Sequence, residues 1–113
     1  MSRPVVFFDI ATTDAAQLFG FYRELFDWKI DAGNPMGYGM TETGGIPGGI
    51  GTAQEGSAKG VSIVVDVDDV QAYLERAEAL GGKTVVPPYE IEGTGTLAEF
   101  TDPQGNRIGL WKR

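Results

Sequence analysis

Three carboxylates, Asp9, Asp66 and Glu99, are the residues of this chain with the most chemical promise. Asp9 closes the apolar run VVFFD and Asp66 closes VSIVVD, so the two stand at matching points of similar segments half a chain apart; Glu99 lies in a third strand-like run, LAEFT. Turned inward together, they would form an acidic floor that holds a cationic group, or supply a base for proton transfer. They also admit plainer roles: meeting backbone donors or the arginines Arg3 and Arg107, or forming an oxygen-only metal site. Their spacing alone does not choose.

Other chemistry is excluded by what is absent. Without histidine or cysteine, the chain has no imidazole base, no thiolate nucleophile and no Cys- or His-ligated metal, and Ser57 and Ser62 have no histidine to activate them. The stretch GGIPGGIG lacks the closing Lys-Ser/Thr of a phosphate loop and joins no strand to a helix, so it reads as strand-edge and turn. Five aromatics, Phe7, Trp28, Tyr38, Tyr89 and Trp111, are of the kind that stack on a flat molecule in a pocket. Core or dimer-seam filling is the alternative for each, and above all for Trp28.

The elements that must position these residues come in two similar sets. VVFFDIATTDAAQLFGFYRELFDWKI and VSIVVDVDDVQAYLERAEALGGKTVV each run from an apolar strand through acidic capping residues into an amphipathic helix, then to a lysine and another strand. An internal duplication explains both. In the first helix Ala15, Leu18, Phe19, Tyr22, Leu25 and Phe26 make one stripe, and Asp14 with Gln17 resembles a capping box. In the second, Val70, Tyr73, Leu74, Ala77 and Leu80 make the stripe, Asp68 or Asp69 caps the start and Gly81-Gly82 supplies a left-handed stop. Strands are expected at 4–10, 28–31, 38–43, 48–52, 61–67, 83–86, 96–101 and 107–112. Each half thus reads βαβββ, spanning about 4–52 and 61–112, with a connector at 53–60.

Composition sets the frame for these elements. With 113 residues, 42% of them hydrophobic, the chain has the size of one domain, 1–113, with a real core. Nine basic against sixteen acidic residues give a net charge of −7, which opposes nucleic acid and anionic membrane as partners and favours a cationic small molecule. The start, MSRPVVFFDIATTD, holds no run long enough for a signal peptide or membrane span, and the lack of cysteine fits a reducing cytoplasm.

Taken together, the doubled βαβββ order, FYRELFDW, DVDDVQAYLERAEALGGK and the closing FTDPQGNRIGLWK, with its Asp102-Pro103-Gln104-Gly105-Asn106 turn, resemble the vicinal oxygen chelate superfamily of glyoxalases, bleomycin-resistance proteins and extradiol dioxygenases. The resemblance covers nearly the whole chain. It implies an α+β fold of two tandem units forming one glyoxalase-like domain, with sheets curved into a half-barrel, and a homodimer. Phe8, Ile10, Ile63, Val65, Val67, Ile108 and Leu110 would face the core, and Val5, Phe7, Asp9, Ser62, Val64, Asp66, Gly109 and Trp111 the cavity, with room left above Gly109.

The superfamily's metal ligands fall on Val5, Ser62 and Gly109, with Phe7 as a variant position and a fourth within Gly48–Gly51. None offers an imidazole or carboxylate, and a lone hydroxyl such as Ser62 is a weak ligand. The expectation is a domain without metal or other cofactor that binds a small organic molecule, cationic or aromatic, through Phe7, Asp9, Tyr38, Ser62, Asp66, Glu99 and Trp111. The alternative is an isomerase or lyase, related to lactoylglutathione lyase, that uses Asp9, Asp66 or Glu99 as its base or has an atypical metal site.

Overall fold

The computed structural model describes residues 2–53 and 59–113. Ser57 and most of the expected connector 53–60 lie outside the described residues. The chain divides into two compact units, residues 7–61 and residues 1–6 with 62–113, called here the first and second unit.

The first unit contains most of β1 (Val5–Thr12), then α1 (Ala15–Phe26), β2 (Lys29–Asp31), β3 (Gly39–Glu42) and β4 (Gly48–Thr52). Its strands lie in the order β2-β3-β4-β1, with β4 parallel to β1 and antiparallel to β3. Asp14 caps α1 by accepting from the Gln17 N–H, and Asp27, left-handed at φ 59°, stops it. Ile10, Ala15, Ile30 and Ile50 form the core, with Phe8, Leu18, Phe19, Tyr22 and Trp28 packed on it. Trp28 is therefore a core residue, stacked on Tyr22 with ring centres 5.1 Å apart. Its indole also meets Phe26, so the last turn of α1 rides on Trp28 instead of the sheet. That leaves Leu25 and Phe26, expected in the buried stripe, more than half exposed.

The second unit holds β5 (Gly60–Asp66), which starts at the boundary, α2 (Val70–Ala79), β6 (Lys83–Ile91), β7 (Gly95–Thr101) and β8 (Arg107–Lys112). The order β5-β8-β7-β6 repeats the plan of the first unit, with β8 parallel to β5. Asp69 caps α2, accepting from the Ala72 N–H, and Gly81 turns the chain away at φ 105°. The core is Val67, Val70, Leu74, Ala98 and Leu110, supported by Val65, Tyr73 and Phe100. Two expectations fail at its margins. Leu80 is the C-cap, not a stripe residue, and is exposed; Ile63 lies one step beyond the core's edge at Val65 and is 40% exposed. β6 also runs past the expected 83–86, because its Pro87-Pro88 pair falls within a register shift of an outer strand, where a missing N–H is tolerated.

The segment before Phe7 belongs to the second unit. Pro4 accepts from the Asp66 N–H at 2.9 Å, and Arg3 donates to the Tyr73 hydroxyl at 2.8 Å and pairs with Asp68 at 3.3 Å. The hydrogen bond to Tyr73, with the charge of Asp68, raises the Arg3 guanidinium pKa above its ordinary value. Arg3 is thus committed locally.

Candidate functional site

The first unit builds its distinctive surface from a strand with almost no side chains. Alternation along β1 sends Phe8 and Ile10 to the helix side, which leaves Phe7 and Asp9 on the other face. On β4 the partner of Asp9 is Gly49, and the partner of Ala11 is Gly51. The floor beside Asp9 is therefore bare backbone. The Tyr38 ring lies on it: a Cβ at Gly49 would collide with the ring and hydroxyl of Tyr38, and one at Gly51 would stand 2.7 Å from its Cδ1. The hydroxyl then donates to Asp9 Oδ1 at 2.6 Å, the length of a bond to a charged acceptor.

Tyr38 is held in place by its own loop. Asn34 brackets its backbone, donating from Nδ2 to the Tyr38 carbonyl at 2.6 Å and accepting the Tyr38 N–H on Oδ1 at 3.0 Å. Between them Gly37, at φ 64°, closes the turn with an N–H bond to the Asn34 carbonyl. Met40, half exposed, borders Gly49 on the side opposite Asp9. This corrects the reading of GGIPGGIG as strand-edge: β4 is an inner strand, and its glycines admit aromatic rings on both faces, Tyr38 on one and Phe8 against Gly48 on the other. Asn34 was not singled out from the sequence, and Gly49 and Gly51 were met there only as part of the Gly48–Gly51 ligand position and the GGIPGGIG stretch, not as a floor for Tyr38. The available signal was glycine at alternate positions of the second strand after an aromatic in a tight turn.

The second unit fills the matching face with charge and bulk. Register places Val64 beside Gly109, Asp66 beside Trp111, and Glu99 on the far side of Gly109, so these residues and Ser62 share one face. Glu99 pairs with Arg107 at 3.0 Å and Asp66 with Arg113 at 3.4 Å. Trp111 donates from Nε1 to the Thr94 carbonyl at 3.1 Å, under the Arg113 guanidinium at 5.4 Å. Tyr89, opposite Leu97 on β6, is 43% exposed.

Several sequence expectations are corrected here. Ser62 and Val64 are buried, at 7% and 8% exposure, and so do not line open space. The room expected above Gly109 is taken by Val64, whose Cγ2 would stand 3.1 Å from an added Cβ. Arg107 does serve a candidate acid, Glu99, whereas Arg3 turns to Tyr73 and Asp68; the arginine at Asp66 is Arg113, which the sequence reading overlooked. A surface cavity of about 400 Å³ lies along Arg3, Asp66, Val67, Asp68, Lys112 and Arg113.

The superfamily's metal does not fit the residues present. Val5, Ser62 and Gly109 offer at most one hydroxyl, that hydroxyl is buried, and Gly48–Gly51 offers no ligating side chain. Among the described residues no three His, Cys, Asp or Glu side chains come together as a metal-binding group. Among the same residues no helix is long and apolar enough to cross a membrane.

Comparison with known proteins supplies the frame for this geometry. A family model described as a glyoxalase-like domain matches residues 5–111. A Mycobacterium tuberculosis protein named "Putative glyoxylase CFP32" is 30% identical over 113 aligned residues, which cover 92% of this chain and 43% of the relative. The "Anthracycline biosynthesis protein DnrV" of Streptomyces peucetius is 26% identical, over 94% of this chain and 46% of its own length. The chain therefore spans less than half the length of these curated relatives. In fold it is similar to a glyoxalase/bleomycin resistance protein/dioxygenase superfamily member from Vibrio splendidus, with a TM-score of 0.69 at 15% identity over 99% of this chain and 100% of that one.

Proposed function

This chain belongs to the glyoxalase-like domain family, and from that premise we propose that it binds a small organic molecule, aromatic or cationic, without using a metal at the superfamily's ligand positions. The observation that carries this reading is the Tyr38–Asp9 pair laid across the glycines of β4. An aromatic ring, the backbone floor it lies on and a carboxylate acceptor meet there on one face, which is the mixture of apolar surface and few polar anchors that small-molecule sites use. The net charge of −7 adds long-range attraction for a cation.

Acid–base catalysis is the competing reading. Its candidates are Asp9, Asp66 and Glu99, and two of them face guanidinium groups, Arg113 and Arg107. No two of the three acids stand as a carboxylate pair within the second unit: Asp66 lies on β5 beside Trp111 and Glu99 on β7 beside Gly109. Asp9 enters that reading with Tyr38, whose hydroxyl donates to it and is itself a proton donor.

Thermal unfolding of metal-stripped protein, first against Ni, Zn, Mn and Fe(II) and then against cationic and aromatic small molecules, tests the proposal, because a ligand of the folded state raises the midpoint. A shift with an organic compound and none with metals is the expected result. Stoichiometric metal uptake with a raised midpoint would overturn the metal-free part. Conversion of a bound compound that is lost in Asp9→Asn would establish the catalytic reading instead.

A further inference from the structure

The two helices start alike and meet solvent differently. Asp14 and Asp69 cap them at matching points, so Ala16, Gly20 and Phe21 of α1 stand where α2 carries Gln71, Glu75 and Arg76. All six are exposed. On α2 they make an ordinary solvated face, on which the Gln71 amide donates to Glu75 at 3.0 Å. On α1 two small residues lie beside Phe21 and Leu25, which are 54% and 57% exposed. Packing within the chain does not call for Gly20. Among the described residues a Cβ there would meet nothing within 4 Å, and its φ is not in the left-handed range. Glycine also weakens a helix interior, so its use lies outside the chain.

We infer that this face of α1 pairs two copies of the chain, helix against helix and antiparallel, with Phe21 of each copy seated over Gly20 of the other. Helical periodicity puts Ala16, Gln17, Gly20, Phe21, Glu24 and Leu25 on one side of α1. A two-fold axis passing between Gly20 and Phe21 then sets Gly20 against the partner's Phe21, Ala16 against the partner's Leu25, and Gln17 against the partner's Glu24. Each small residue meets a large one, and an amide donor meets a carboxylate. Such self-complementarity is what an isologous interface needs and what a face for an unlike partner does not. Antiparallel helices that cross at about 20° keep these rows in contact along their length.

Area sets the strength of the pairing. Phe21 and Leu25, each about half exposed, leave about 100 Å² apiece, and with their small and polar neighbours the face offers about 400 Å² per copy. Two copies would bury about 800 Å², which belongs to weak, reversible association and not to a permanent dimer. The pairing is independent of the binding function proposed above.

Sedimentation velocity tests it, at physiological salt to screen the −7 on each copy. Wild type should be monomeric at low micromolar concentration and largely dimeric by about 500 µM. A wild type still monomeric there overturns the pairing and leaves the face to another partner. The double variant Gly20→Glu, Phe21→Arg copies α2 at these points, and should keep its circular dichroism and lose the dimer. A dimer that survives it is formed by another surface and overturns the assignment. Gly20→Ala answers the concern that a variant misfolds. It removes a helix-interior glycine, so the dilute monomer should melt about 4 °C higher, while a methyl group under the partner's Phe21 should weaken dimerisation at least about fivefold. Unchanged dimerisation overturns the seat at Gly20. Finally, Gln17→Lys should dimerise at least about threefold more tightly than Gln17→Glu, because the contact with the partner's Glu24 occurs twice, whereas the same two changes at Gln71 should not differ. Equal behaviour at the two positions overturns the antiparallel register.

Discussion

β4 and β8 hold the same place in their units: each is the last strand, parallel to the first strand and antiparallel to the third. They treat their faces in opposite ways. β4 presents Gly49 and Gly51 and takes a tyrosine from a neighbouring loop as cover; β8 presents Arg107, Gly109 and Trp111, which meet Glu99, Val64 and Thr94 within the unit. The two units thus share a frame and differ in the surface it displays. The frame depends on helix-side contacts, to which Ile50 contributes from β4 and Leu110 from β8.

The sharpest way to break this contrast is to add bulk to both strands. Gly48→Ala and Gly49→Ala should each cost about 2–3 kcal/mol, because their Cβ atoms run into the rings of Phe8 and Tyr38, which must move. Gly109→Ala, 3.1 Å from a terminal methyl of Val64, should cost under about 1 kcal/mol. Urea unfolding reads both, and equal losses would mean that the two faces are packed alike.

Smaller effects probe how each face is closed. Tyr38→Phe removes the bond to Asp9 and should lower stability by about 1 kcal/mol with little dependence on salt. Glu99→Gln loosens the partly exposed pair with Arg107, for a cost of at most about 1 kcal/mol that shrinks as salt is added. The salt dependence of the two variants, compared in one titration, separates a hydrogen-bonded face from an ion-paired one.

The shared frame makes a matching claim at its helix starts. Asp14→Ala and Asp69→Ala should each cost about 1 kcal/mol, since each carboxylate accepts one orphan N–H of its helix. A large difference between them in thermal melts would show that the units do not depend equally on capping.

The smallest effect belongs to the 102–106 turn before β8, which has no like-built counterpart before β4. The backbone and side-chain N–H groups of Asn106, then the backbone N–H groups of Gln104 and Gly105, hold the Asp102 carboxyl below its ordinary value of 3.8. A depressed folded pKa means that this carboxylate stabilises the fold above the unfolded value and ceases to do so as pH falls through the folded one. Wild type and Asp102→Ala should therefore differ near neutral pH and converge on acidification below 3.8, as read by melting midpoints. The turn before β4 uses Thr43 instead, whose hydroxyl accepts from Gly45 and donates to Ile46, so it should show no such acid dependence.

Much of this was legible along the chain. The doubled βαβββ order, both helices, the cap Asp14, the choice of Asp68 or Asp69 for the second cap, and the presence of all eight strands follow from local pattern, because capping, periodicity and turn chemistry act over a few residues. The candidate site was legible only in its members. Asp9, Tyr38, Asp66, Glu99 and Trp111 could be named, but not that Tyr38 would reach Asp9, that Arg113 would reach Asp66, or that Val64 would fill the place of a side chain at Gly109. Each of those is set by strand register and by loop length, and a shift of one residue would send every side chain to the opposite face.

What the sequence determined by itself, then, is a glyoxalase-like domain without histidine or cysteine, built from two βαβββ units and lacking ligating side chains at the superfamily's metal positions. Only the tertiary structure decided what stands on that face of each unit: ion pairs and a tied indole on one, a glycine shelf under a tyrosine on the other. The physical reason is that residue types fix which interactions are available, whereas contacts between residues distant in the chain depend on pairing that no local pattern encodes.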